Sequence, residues 1–90
     1  MNNPDDFTCW ASLLIEEVAD QKDPGPIIFC TLSDEEMKEV FDSGYGGTQG
    51  KPFTAWTENR VYFPVMYDGS EWVGSAPRNP CEERTHHQGG

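Results

Sequence analysis

The stretch Arg60-Val61-Tyr62-Phe63-Pro64-Val65-Met66-Tyr67-Asp68-Gly69-Ser70-Glu71-Trp72-Val73-Gly74-Ser75 decides the fold. Asp68-Gly69 stands between two runs rich in β-branched and aromatic residues, a strong signal for a two-residue hairpin turn. Counting outward from that turn pairs Tyr67 with Ser70, Val65 with Trp72 and Pro64 with Val73. In an antiparallel ladder hydrogen-bonded and non-hydrogen-bonded pairs alternate, and the Pro64–Val73 pair is of the second kind, so the missing N–H of Pro64 costs that ladder nothing. Toward its other neighbour Pro64 has no proton to donate, so pairing with the preceding strand should stop near that point. A meander of Phe53–Thr57, Arg60–Tyr67 and Glu71–Ser75 follows.

Upstream, Phe7, Trp10, Ala11, Leu14, Ile15 and Val18 recur at the spacing of one buried helical face, with Asp5 or Asp6 as the N-cap and an end near Asp20. After Lys22-Asp23-Pro24-Gly25-Pro26, the short apolar run Ile27-Ile28-Phe29-Cys30-Thr31 reads as an inner strand. A second helix starts at Asp34: Ser33 and Glu36 form a capping box, and Leu32 and Met37 are placed as a hydrophobic staple. Met37, Val40 and Phe41 make its buried face, with Glu35, Lys38, Glu39 and Asp42 outside. Gly44-Tyr45-Gly46-Gly47-Thr48-Gln49-Gly50 is a mobile connector in which Tyr45 is available as an interface contact. The expectation is an α+β domain over residues 1–76, two helices packed on an antiparallel sheet of three to four strands, with 77–90 as a flexible tail.

Charge divides this chain unequally. The first 42 residues hold eleven acids against Lys22 and Lys38, a net −9 out of a total of −10. Such a balance repels nucleic acid and anionic membrane, both of which are bound through Lys and Arg, and suits a partner with a basic surface. At 90 residues there is little room for a buried catalytic cavity. No apolar run approaches a membrane span, and the N-terminal residues lack the basic and apolar regions of a signal peptide, which reads as cytoplasmic. Cys9, Cys30 and Cys81 are odd in number and suit reduced thiols. With His86 and His87 they lack the paired spacing of a zinc site, and no histidine is anchored beside a thiol for catalysis. The expected protein is not an enzyme and uses no cofactor or metal.

The main candidate site is acidic. One helical turn rises about 5.4 Å, so Glu35, Glu39 and Asp42 would form a row with spacing of the order of nucleic-acid phosphates. Glu16, Glu17, Asp20 and Asp34 enlarge that surface, and Met37 and Tyr45 join it as contact residues. The plainer reading is a solvated outer face that keeps a small protein soluble.

Small size, strong acidity, two helices and an antiparallel sheet together resemble the phage-encoded inhibitors that mimic DNA, among them anti-restriction, anti-CRISPR, gyrase and polymerase inhibitors. The stretch from Ile27 to Phe41 is similar to the strand leading into an acidic helix in the phage inhibitor of uracil-DNA glycosylase, a DNA repair enzyme. That family's order of helix, strand, helix and antiparallel strands also fits. Gly25-Pro26-Ile27 stands where the family carries a Glu-Ser-Ile motif, and this chain counts one strand fewer. The resemblance implies that Asp34, Glu35 and Glu39 imitate phosphates and that Met37 and Val40 lie by an apolar pocket that captures an enzyme loop. Gly89-Gly90 resembles the tail of ubiquitin-like modifiers and sulfur carriers, but those families open on a β-hairpin.

The expected function is stoichiometric inhibition of a host nucleic-acid-binding enzyme by occupancy of its basic site, with Trp56, Trp72 or Tyr45 as an apolar anchor. A monomer and a homodimer that doubles the acidic surface are equally consistent. The alternative is a non-mimetic adaptor or assembly protein docking through an apolar sheet face that includes Tyr62, Met66 and Trp56.

Overall fold

A computed structural model describes residues 7–44 and 47–89. The elements are β1 (Phe7–Thr8), α1 (Trp10–Asp20), β2 (Phe29–Cys30), α2 (Asp34–Met37), β3 (Phe41–Asp42), β4 (Ala55–Trp56), β5 (Arg60–Tyr67) and β6 (Ser70–Pro77). The strands β2-β4-β5-β6 form one antiparallel sheet in that order, and β1 and β3 form a second, two-stranded sheet.

The hairpin register is the one the turn dictates: Tyr67 faces Ser70, Val65 faces Trp72 and Pro64 faces Val73. Asp68 and Gly69 both take positive φ, 50° and 82°, the type I′ geometry whose twist matches that of paired strands. On the other side of β5, β4 pairs only Ala55 with Tyr62 and Trp56 with Val61, and the ladder ends before Pro64.

Alternation along the hairpin puts Tyr62, Val73 and Ser75 on one face. There the core gathers Trp10, Leu14, Met37, Phe53, Ala55, Tyr62 and Val73, with Ala11, Leu13, Val18, Cys30, Leu32 and Phe41 packed around it. Trp10 is its centre, with ring centroids 4.7 Å from Phe41 and 5.0 Å from Phe53. Its indole N–H donates to the Lys51 carbonyl at 2.9 Å, so the largest core side chain leaves no buried donor unmet.

Several expectations are corrected. Helix α1 begins at Trp10, not Phe7, because Phe7 and Thr8 pair with Asp42 and Phe41 across β1 and β3. The N-cap is Cys9, in extended conformation and without a side-chain cap; Asp5 and Asp6 lie outside the described residues. Ile15, expected in the buried face, is 70% exposed. The capping box of α2 is formed, with Glu36 N donating to Ser33 Oγ at 3.1 Å and Ser33 N to Glu36 Oε1 at 3.0 Å. Yet α2 is a single turn, because Phe41 and Asp42 are taken by the ladder with β1, a tertiary pairing that one more turn of helix would forfeit. Val40 therefore turns outward. The run at Ile27 is not an inner strand: β2 holds only Phe29 and Cys30 and is an edge.

The segment from Pro77 onward, expected as a flexible tail, makes specific bonds. Arg78 N donates to the Asn59 carbonyl at 2.9 Å. The buried Arg60 guanidinium donates through both terminal nitrogens to Glu83, at 3.0 and 3.2 Å. Gln88 reaches Gly74 on the outer sheet face, where a Cβ on Gly74 would stand 2.6 Å from its side-chain oxygen.

Gly50 is required by the core. A Cβ there would fall 2.3 Å from Trp10 Cζ2, a rigid buried ring atom, whereas nothing lies within 4 Å of a Cβ on Gly47. Gly50→Ala is expected to cost about 1–3 kcal/mol through overpacking. Gly47→Ala should remain within about 0.5 kcal/mol of wild type, both read by urea unfolding.

Candidate interaction surface

Helix α1 stops in a Schellman arrangement, in which Asp23 N donates to Val18 O at 3.1 Å and Lys22 N to Ala19 O at 3.0 Å. Lys22 occupies the left-handed position, φ 54°, that usually falls to glycine. The turn delivers Asp23 to the sheet. Its carboxylate accepts from Tyr62 Oη at 2.6 Å, Thr57 Oγ1 at 2.7 Å and Gly25 N at 2.9 Å. Burial opposes the charge, but the bonds from Tyr62, Thr57, Gly25 and Asn59 outweigh it and hold the Asp23 carboxyl down at about 2. Burial, and then the bond to Asp23, push the Tyr62 hydroxyl well above its ordinary range.

On this frame the expected site residues separate into two groups. Glu16, Asp20, Asp34, Glu35 and Glu39 are exposed. Glu39 is bridged to Lys51 at 3.0 Å, and that bridge raises the lysine's pKa. The others are structural. Glu17 accepts from Ser75 Oγ at 2.8 Å and ties α1 to β6. Met37 is in the core. Asp42 is only 6% exposed, on β3; its Oδ1 accepts from Gly44 N at 3.0 Å, and its Oδ2 is buried without a hydrogen-bond partner among the described residues. The helical row of Glu35, Glu39 and Asp42 is therefore not formed, since α2 ends at Met37, before Glu39 and Asp42. Tyr45 lies outside the described residues. Tyr62, expected on an exposed sheet face, is fully buried, while Met66 of that expected patch is exposed.

What the spacing of acids did not reveal is a set of exposed apolar side chains. Ile15, Ile27, Ile28 and Phe29 are all exposed. Ile15 and Ile27 line a groove of about 450 Å³ between α1 and the loop from Asp23 to Ile27, together with Leu14, Val18, Pro24 and Pro26. The apolar run itself was the available signal, but periodicity does not distinguish an inner strand from an edge.

Among the described residues no group of three or more His, Cys, Asp or Glu side chains could hold a metal ion. Cys9, Cys30 and Cys81 are free thiols. No helix among these residues is long and apolar enough to cross a membrane.

The Asp23 joint makes a prediction. Its folded pKa, about 2, lies below the ordinary 3.8, so the unfolded chain binds the extra proton, and the stabilisation present above 3.8 is lost as pH falls through about 2. The stability gap between wild type and Asp23→Asn should narrow across that window in denaturant titrations. Tyr62→Phe should cost about 1.5–3 kcal/mol at neutral pH, as the loss of a hydrogen bond to a charged acceptor. No protein-family model, curated protein or solved structure matches the chain.

Proposed function

We propose that this protein is a stoichiometric inhibitor that presents carboxylates to the basic nucleic-acid-binding surface of an enzyme and excludes the substrate by occupancy. One observation carries the reading: Glu16 and Asp20 on α1, Asp34 and Glu35 on α2 and Glu39 just after it are all exposed, in the part of the sequence where net charge is most negative. Glu16 and Asp20 stand four residues apart on α1, about 6 Å along one helix face. That interval is of the order of the spacing between phosphates in a strand. The phosphate-like row thus moves from α2, where the chain leaves the helix too early, to α1.

The enzyme classes that fit are those whose substrate site is a basic nucleic-acid channel, including restriction, CRISPR, repair-glycosylase, gyrase and polymerase machinery of a host cell. Long-range attraction accelerates encounter and is screened by salt. No cofactor enters this mechanism.

The test is inhibition of a panel of purified enzymes from these classes, with nucleic acid as competitor, by wild type and by the quadruple variant Glu16→Gln, Asp20→Asn, Asp34→Asn, Glu35→Gln. Competitive, one-to-one inhibition of a member is expected. Its association rate should fall by about 10- to 100-fold in the variant and with added salt. An inhibitor whose four acids can be neutralised without change in rate or affinity overturns the reading, as does failure to inhibit any member.

A further inference from the structure

We propose that residues 83–89 form a releasable strap: Glu83 hooks them to the buried Arg60, and the end beyond the hook closes over Val65 and Gly74 on the outer face of the sheet. The strap requires nothing of the acidic-inhibitor reading.

The eye of the hook belongs to the body of the fold. Arg60 is 8% exposed; its Nε donates to Ser75 Oγ at 3.0 Å, and that hydroxyl donates to Glu17 on α1 at 2.8 Å. These bonds hold the guanidinium from the body side and leave both terminal nitrogens for Glu83, which they reach at 3.0 and 3.2 Å. A two-pronged pair of this kind is directional. Its carboxylate half is the accessible one, since the Glu83 side chain is 42% exposed against 10% for Arg60. The pair therefore opens by moving the strap and not the core.

Beyond the hook the attachment changes in kind. Among the described residues no hydrogen bond or ion pair joins residues 84–89 to the sheet, and Gln88 donates only to His86 within the strap. Shape seats the end instead. Gly74, in the middle of β6, is buried, and a Cβ on it would stand 2.6 Å from Gln88 Oε1 and 2.7 Å from Val65 Cγ2. A glycine inside a strand commonly marks the close approach of another stretch of chain. Gly89 takes φ 82°, and a Cβ there would lie 3.3 Å from Met66 O and 3.5 Å from Val65 Cγ1. Val65 itself is only 6% exposed although it stands outside the core cluster, on the face opposite Tyr62 and Val73, where the helices do not pack.

What the strap covers has its own chemistry. The strand register puts Phe29, Trp56, Val61, Phe63 and Trp72 on this same outer face. No residue that the register places there is charged, in a chain with 16 acids. Gln88 and Gly89, which lie on it, are uncharged as well. With the strap closed, the patch at Val65 and Gly74 is hidden; with the strap open, that patch extends the apolar face to β6. One ion pair at the edge of the sheet thus controls how much apolar surface this acidic protein shows.

The test compares wild type with Glu83→Lys, which sets like charge against Arg60, and with Glu82→Lys, an equal change of charge at an exposed neighbour. By NMR relaxation the wild-type amides of residues 84–89 should be as rigid as the sheet on the picosecond-to-nanosecond scale. In Glu83→Lys they should become mobile and the amide shifts of Val65, Met66 and Gly74 should move, with the Trp10 indole resonance in place. Fluorescence of an apolar dye should rise about threefold or more on release. Glu82→Lys should match wild type. Gly89→Val touches neither the core nor Arg60; strained at φ 82°, it should lift the end alone, moving the same three shifts while the Arg60 Nε–H resonance stays. Residues 84–89 as mobile in wild type as in Glu83→Lys, equal effects of Glu82→Lys and Glu83→Lys, or unchanged dye binding on release overturns the proposal. If Glu83→Lys unfolds, as loss of the Trp10 resonance would show, Gly89→Val decides: unmoved shifts at Val65 and Gly74 overturn the strap.

Discussion

The carboxylate of Asp23 is the joint on which the arrangement turns. Helix α1 leaves its last turn through Lys22 in a left-handed conformation, and the next residue accepts bonds from Tyr62 on β5 and from Thr57 beside β4. A charge held by several donors is far more directional than apolar packing. It fixes where the helix ends over the sheet, and with it the spacing of Trp10 and Leu14 above Tyr62 and Val73. The groove beside α1 has this joint in its wall, since the residues from Asp23 to Ile27 line it opposite Leu14, Ile15 and Val18.

Acid content alone does not define an interaction surface. Glu71 is buried, and its carboxylate accepts from the backbone N–H groups of Gln49 and Gly50, which pins the loop against Trp10. Glu17 and Asp42 also serve the fold. A helix writes acids on its outside at regular intervals, but a short chain with few lysines can use the same residues as acceptors for backbone and hydroxyl donors. The acids that remain exposed are fewer than composition suggests.

How much was legible follows from the range of the interactions. The hairpin register from Tyr67–Ser70 to Pro64–Val73 was readable because a two-residue turn and a proline constrain it locally. The Ser33–Glu36 box was readable for the same reason. The length of α2 was not: Val40, Phe41 and Asp42 continue a helical pattern, and only the distant pairing of Phe41 with Thr8 and Asp42 with Phe7 breaks it. The bonds of the C-terminal segment escaped notice because Glu83 looks like any solvated acid until Arg60 is seen buried at the end of β5. In the candidate site the charges were legible and the apolar half was not, since exposure of Ile15 and Phe29 depends on which neighbours the sheet order supplies.

The small β1–β3 sheet has an unequal place in this economy of contacts. It joins residues far apart in sequence through two residues on each side, whereas the β5–β6 hairpin closes over Asp68 and Gly69 and pairs eight. Local order of this kind sets a gradient of opening free energies. Amide exchange would therefore rank the molecule into layers, with the hairpin most protected and the strand before Trp10 opening first. A release of that strand frees Phe41 from its ladder and uncovers one flank of Trp10, so the route by which solvent first reaches the core runs through the acidic half of the chain and not through the sheet.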